Sequence, residues 1–270
     1  MVISASIVAY KTPKEELLKV SQCFLNNKIN GKLYIIDNSP ADTLRGFCDT
    51  DKVEYIHNSS NPGFGAAHNI AIKLAVEAGS NYHFVVNPDI YFDGDVIASM
   101  VNYMVSNPNI GMIMPEVLYP DGSIQNLPKL LPNPLDIIFR KLKRPAVFYK
   151  KFIDKYELRF VDKKMVYRAP ILSGCFTLLN LNAIKEVGAY DDRFFMYFED
   201  WDLSRRMTEK YLTIYFPKVS IFHSYDSGAN KNFHLFKIYL KSAFRYFNKW
   251  GWFFDKKRNE MNKKTLAQFK

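Results

Sequence analysis

Three carboxylates, Glu199, Asp200 and Asp202, fall within four positions, directly after the apolar run Phe194-Phe195-Met196-Tyr197-Phe198. A carboxylate set against an apolar wall loses hydration, so its pKa rises and it becomes a proton acceptor near neutral pH. The same block also reads as a helix N-terminus, where the dipole favours acidic residues and Asp202 can pair with Arg206 one turn on. Four further constellations carry chemistry. Asp37, followed by Asn38 and Ser39, ends the apolar stretch Ile35-Ile36, where it either accepts hydrogen bonds from a base imide or ribose or simply forms a turn. Asn61-Pro62-Gly63-Phe64-Gly65-Ala66-Ala67-His68-Asn69 is a small-residue turn entering a helix, suited to an anion but without the Gly-x-Gly-x-x-Gly spacing. Asn87-Pro88-Asp89 follows another apolar stretch; Asp89 is either a hard oxygen ligand for Mg²⁺ or Mn²⁺ or a turn residue ahead of Asp93 and Asp95. His223 closes Ile221-Phe222 as a second metal ligand or a hydrogen-bonded structural residue, and His68 is a candidate phosphate contact.

Strands ending in these polar tips alternate with helical patterns. Strands are expected at 2–10, 32–37, 53–57, 82–86 and 111–115, and helices at 13–26, 64–78 and 93–105. That alternation predicts a mostly parallel α/β sheet with helices on both faces. Prolines then punctuate 115–145, with a hairpin turn expected at Tyr119-Pro120-Asp121-Gly122. Residues 140–164 are basic and aperiodic, predicting a mobile loop or a short helix. A strand over 169–179, helices over 181–187 and 199–210, and strands over 213–216 and 219–223 complete the body. A helical seam follows at Phe233, Phe236, Leu240, Ala243, Phe247, Trp250 and Phe254, beside a basic row at Lys237, Lys241, Arg245 and Lys249.

The chain has 270 residues, 48% hydrophobic and 16% aromatic, enough to bury a full core. Its net charge of +10 is uneven: residues 231–270 carry a net +9 and residues 140–164 a net +7, which leaves the remainder about −6. The charge therefore reports on partners of two basic segments. The aromatic stripe and cationic flank of 231–270 suit either an anionic bilayer or packing against the domain with solvated lysines. Cys23, Cys48 and Cys175 form neither a metal knuckle nor an even disulfide framework. The first residues read as a strand rather than a leader, and no apolar run has the length of a membrane span. A cytoplasmic protein, peripheral on the inner face of the membrane, is the expectation.

With Asp37, the turn 61–69, the tip 87–89 and the acidic block in this order, the chain resembles the family 2 glycosyltransferases, and among them the rhamnosyltransferase-like branch of bacterial surface-polysaccharide synthesis. The resemblance covers roughly residues 2–225. Its most specific part runs from Gly174-Cys175-Phe176 through Val187-Gly188-Ala189-Tyr190-Asp191 to 194–206. It implies a GT-A fold over 1–225, with a nucleotide-binding half at 1–115, an acceptor-binding half at 116–225 that contains a basic loop around 135–165, and a helical extension at 226–270. It further implies a nucleotide-diphosphate sugar donor, dTDP-rhamnose or a UDP-hexose, and a glycan or lipid-linked acceptor. Tyr10, Asp37, Asn38, Asn61, Gly65, His68, Asn69, Asn87 and Asp89 would contact the donor. Asp89 and His223 would hold a divalent metal, Gly174 and Trp201 would face the acceptor, and Asp200, assisted by Glu199, would take the acceptor proton in a single inverting displacement. Asn87 stands where the metal motif usually has its first carboxylate, and Lys11 where the branch often has Asn.

Two other classes compete. A nucleotidyltransferase would show a basic Gly-rich N-terminal loop, which Ala9-Tyr10-Lys11-Thr12-Pro13 does not provide. A nucleic-acid binder would use the basic segments, but the helical period at 236–249 favours packing or membrane over base stacking, so no nucleic-acid partner is expected.

Overall fold

The computed structural model describes residues 1–27, 30–46, 50–224 and 233–270. Cys48, and the expected boundary at 225/226, lie outside the described residues. Nine strands form one sheet, with β3 (Val53–His57), β2 (Leu33–Asp37), β1 (Ile3–Ala9) and β4 (Tyr82–Val86) side by side and parallel. Next to β4, β8 (Phe176–Asn180) enters antiparallel and joins β6 (Ile110–Leu118), followed by β9 (Leu212–His223) and the short β5 (Ile90–Tyr91); β7 (Tyr167–Arg168) also pairs with β9. The sheet is thus parallel through its N-terminal half and mixed beyond it. Because β8 sits between β4 and β6, the two expected halves share one sheet.

Period-two alternation decides which residues meet which layer. On β1, Ala5, Ile7 and Ala9 face α1 (Lys14–Asn26) and α3 (Val96–Ser106), where Leu17, Val20, Phe24, Met100 and Met104 close one core. Val8 and its neighbours face the other core, built with α2 (Phe64–Glu77), α6 (Leu181–Val187) and α7 (Glu199–Lys210). Ser4 and Ser6 on that face carry a buried polar network. Ser4 Oγ lies 2.8 Å from His83 Nδ1, and Ser6 Oγ lies 2.7 Å from both His83 Nε2 and His68 Nδ1.

Three expectations about elements change. The basic segment is not a loop: it forms α4 (Pro134–Leu142) and α5 (Ala146–Tyr156). Asn133 and Asp136 cap α4 reciprocally, with Pro134 in its first turn, and local chemistry of that kind suffices to start a helix. The strand expected over 169–179 is confined to β8. Pro170 has no N–H to offer a ladder, and the N–H groups of Leu172 and Gly174 donate to Ser204 Oγ (3.2 Å) and Asp200 Oδ2 (3.1 Å). The two strands expected over 213–223 are one, with a register shift against β6 at Phe216–Ser220 that absorbs Pro217. The turn at Tyr119–Gly122 is present, Gly122 N donating to Tyr119 O at 2.9 Å.

The C-terminal segment forms α8 (Phe233–Trp250) and α9 (Lys256–Leu266), and α8 packs on the body. The face it buries is Tyr239, Ser242, Ala243, Tyr246 and Phe247, against Phe194, Phe198, Trp201 and Ile137. The expected seam therefore splits. Ala243 and Phe247 point inward while Phe233, Leu240 and Phe254 are exposed, because two tyrosines outside that seam fill the gap over α7. Among the described residues no helix is long and apolar enough to cross a membrane.

Candidate active site

The acidic block opens α7, and the backbone bends sharply to present it. Tyr197 and Phe198 are both left-handed (φ 68° and 69°), a conformation that costs a non-glycine residue of order 1–3 kcal/mol. Packing of the fully buried Phe198 ring against Trp201, Tyr239 and Tyr246 holds the bend. Asp200 is half-buried; its Oδ2 accepts from Gly174 N at 3.1 Å and its Oδ1 from Trp201 N at 2.9 Å. A Cβ on Gly174 would lie 3.3 Å from the Asp200 Cβ and 3.3 Å from the Phe64 ring, so Gly174 brings its backbone against the carboxylate.

Burial raises the Asp200 pKa, while the Gly174 N–H and the Lys129 ammonium hold it down. Glu199 is more deeply buried and has an unpartnered Oε2; desolvation, then the Asp200 charge, pushes it well above the usual carboxylate range. Of the two, Glu199 is the more strongly raised, because Asp200 has the Gly174 and Trp201 N–H groups and the Lys129 ammonium opposing its burial. Lys129 is 5% exposed, and its ammonium donates to Leu127 O at 2.8 Å. Burial pushes it down to about 8, Arg140 adds to the fall, and Glu157 and Asp200 oppose it, so it remains protonated at neutral pH. The Tyr190 hydroxyl, buried and unpartnered, adjoins Gly174 and the two carboxylates.

Gly174 leads directly to the second centre. The Cys175 carbonyl accepts from Asn87 N at 2.8 Å, and the Asn87 side-chain amide lies 3.4 Å from His223 Nε2. His223 Nε2 is 3.3 Å from Asp89 Oδ1, an otherwise unpartnered buried oxygen. His223 Nδ1 donates to Gln125 Oε1 at 3.1 Å, and Gln125 Nε2 donates to the His223 carbonyl at 2.8 Å, so the ring is oriented with Nε2 toward Asp89. Although burial works against a charged ring, Cys175 and Asp89 push His223 up to about 10. The pair is an ion pair, with a proton where a cation would sit. A carboxylate oxygen lacking a good donor beside an oriented imidazole fits two ligands of a divalent ion. Among the described residues no three His, Cys, Asp or Glu side chains cluster. Asp200 and Asp89 thus converge on Gly174–Cys175.

Several expected donor contacts have other work. Gly63 (φ +104°) and Gly65 do allow close approach, but to protein: an added Cβ would meet Phe195 O at 2.1 Å and Tyr190 Cβ at 2.8 Å respectively. Asn69 donates to Tyr190 O and Asp192 Oδ1 and accepts from Tyr190 N, which clamps the segment ahead of the acidic block. His68 is fully buried in the serine network, driven well below its ordinary pKa by burial, so it is no surface contact for phosphate. Trp201 is a wall under α8 rather than an open platform for an acceptor. Gly65, His68, Asn69 and Trp201 are thus engaged in contacts within the protein.

Asp37 does end β2, but it is fully buried and accepts from Tyr55 OH at 2.8 Å and Ser39 N at 2.9 Å. Asn38 beside it is buried with an unpartnered Oδ1. Tyr10 is exposed at the end of β1, next to left-handed Lys11, and left-handed Asn61 (φ 42°) donates its N–H to Asn58 O at 3.2 Å. Sequence reading missed Lys129, Gln125, Cys175 and Tyr190. The one available signal was Lys129 inside Leu127-Pro128-Lys129-Leu130-Leu131, a cation in an apolar run.

A family model described as glycosyltransferase like family 2 matches residues 11–252. The chain is similar, at 26% identity over 196 residues, to N-acetylglucosaminyl-diphospho-decaprenol L-rhamnosyltransferase of Mycobacterium tuberculosis, covering 68% of this chain and 63% of that one. It is similar at 26% over 216 residues to the low-salt glycan biosynthesis hexosyltransferase Agl10 of Haloferax volcanii (78% and 63% covered). It is also similar at 26% over 227 residues to the rhamnosyltransferase WbbL of Escherichia coli (80% and 81%). The chain spans 63% of the length of the first two of these relatives. Among solved structures, GalNAc-T7 with UDP, GalNAc and Mn²⁺ matches with a TM-score of 0.64 at 15% identity, over 84% of this chain and 44% of that chain, and shares its GT-A fold. With most of its length matched, this chain belongs to the glycosyltransferase family 2-like proteins.

Proposed function

We propose that the protein transfers a sugar, rhamnosyl or another hexosyl, from a nucleotide-diphosphate donor to a hydroxyl of a glycan or lipid-linked acceptor, with inversion at the anomeric carbon. The observation that carries this reading is the convergence of Asp200 and the Asp89–His223 pair on one dipeptide, Gly174–Cys175. Asp200 takes the proton of the acceptor hydroxyl as its oxygen attacks the anomeric carbon. The bond to the diphosphate oxygen breaks on the opposite face, and the nucleotide diphosphate leaves with the electron pair. Glu199, pushed well above the usual carboxylate range, is the weaker charge of the pair, and the Gly174 N–H and Lys129 ammonium favour the charged form of Asp200. Asp89 and His223 would hold a divalent ion, Mg²⁺ or Mn²⁺, which when bound supplies Lewis-acid neutralisation of the leaving diphosphate. Asp37, Asn38, Tyr10, Asn61 and Asn87 remain the residues proposed for the donor, and Gly174 for the acceptor.

Attachment to an anionic membrane through 231–270 belongs to the same reading, since a lipid-linked acceptor lies at that surface. A thermal-shift panel of dTDP and UDP sugars, with and without Mn²⁺, tests the proposal, because a ligand of the native state raises its melting temperature. The donor is expected to shift the wild type and Asp200→Asn alike, and Asp89→Ala to lose the Mn²⁺-dependent part. No shift with any nucleotide sugar refutes the reading.

A further inference from the structure

The α4–α5 hairpin and α8 lie far apart in the sequence, yet they abut. Lys141 lies over the rings of Tyr239 (4.8 Å) and Phe236 (5.3 Å), and Ile137 packs in the same cluster as Tyr239. Both elements leave large apolar side chains uncovered beside that seam. On the hairpin these are Ile138, Leu142, Val147 (81% exposed) and Phe148 (68%). On α8 they are Phe233, Leu240 and Phe244, seven and four residues apart on one helical face, with exposed Lys237 and Lys241 between them.

Charge says what the surface meets. Residues 137–153 contain six Lys or Arg and no Asp or Glu, and residues 233–254 contain four and none. A second copy of this chain would bring like charges together across the interface, which disfavours self-association. Nucleic acid would neutralise the cations but leave the apolar side chains in water. An anionic bilayer accepts both, with phosphate headgroups for the lysines and arginines and the acyl boundary for the leucine, valine and phenylalanine side chains.

We propose that the hairpin Pro134–Tyr156 and the outer face of α8 together form one docking surface for an anionic lipid bilayer. The inference deepens the lipid-linked-acceptor reading and rests on it for its purpose, though not for its surface argument. The tyrosines on the inner side of α8 pack on Phe198 and Trp201, which flank the acidic block, so docking sets the site beside the membrane plane.

Flotation of the full chain with phosphatidylcholine vesicles, with and without phosphatidylglycerol, tests the proposal without donor or acceptor present. The wild type is expected to float only with the anionic vesicles and to be released by salt. Lys143→Glu/Arg144→Glu, Val147→Glu/Phe148→Glu and Phe244→Glu should each lower partitioning about tenfold or more. All five positions are exposed, and a melting temperature equal to wild type verifies folding. Hairpin variants that float like wild type overturn the two-element surface. Absence of wild-type flotation overturns it too, as does self-association that these variants abolish while vesicle uptake is missing. A nucleotide sugar that fails to shift the melting temperature would sink the enzymatic reading and leave flotation standing, so the two failures are distinguishable.

Discussion

Asp200 and Glu199 are adjacent in the chain but differ in environment. Gly174 and Trp201 N–H groups and the Lys129 ammonium favour the charged form of Asp200, while Glu199 has burial and its neighbour's charge against it. Asp200→Asn keeps the shape and removes the proton acceptor, so turnover should fall about 10²–10⁴-fold with donor binding intact. Lys129→Met removes the cation that opposes burial. The Asp200 pKa should then rise, moving the acid limb of the kcat/KM profile to higher pH, and Lys129→Arg should restore it; an unmoved limb refutes the role. Gly63→Ala forces a side chain onto Phe195 O at a left-handed-side φ, and should destabilise the fold by a few kcal/mol, read by urea unfolding. The acidic block, Asp89 and His223 were legible because carboxylates and imidazole at strand ends are rare enough to stand out. The partners of the glycines were not, because a small residue announces close approach without naming what approaches.

At the scale of elements, residue pattern made α2, α6, α7 and the strands over 53–57 and 82–86 readable to within a residue. The α4–α5 pair was legible only as a mobile loop or a short helix, because many of its apolar residues, among them Leu142, Val147 and Phe148, face outward and blur the buried stripe on which helix recognition depends. The β1–β4 ladder carries a testable consequence. His83 and His68 are fully buried and neutral, and burial depresses His83 to about 3. Their native contribution is complete above the unfolded pKa near 6.5. As pH falls below that value the unfolded chain takes up protons that the native rings refuse. Stability should therefore drop by about 1.4 kcal/mol per pH unit for each ring, down toward pH 3 for His83. Urea unfolding at pH 7 and pH 5 reads this, and a flat profile would contradict the neutral assignment.

For the whole molecule, the C-terminal helices are integral to the body rather than an appendage. Asp202, with no exposed surface, is bound by Arg206 Nε (2.8 Å), Lys249 Nζ (2.6 Å) and Trp250 Nε1 (2.8 Å), the last two from α8. Arg205 and Asp255 add a buried bidentate pair at 2.7 and 2.9 Å. Removing one partner strands the other charges, so Asp202→Ala should cost about 3–5 kcal/mol. A chain ending before α8 should accordingly fail to give a cooperative melt. The sequence announced the basic row but not that Lys249 belongs to the inside, since its acidic partners lie on distant segments. One dipeptide, Gly174–Cys175, spans the gap between Asp200 and the Asp89–His223 pair. On the proposed roles the reacting groups are thereby tied to the end of β8, and any change in which sugar is joined to which hydroxyl has to be accommodated at the rim, where side chains can vary without disturbing them.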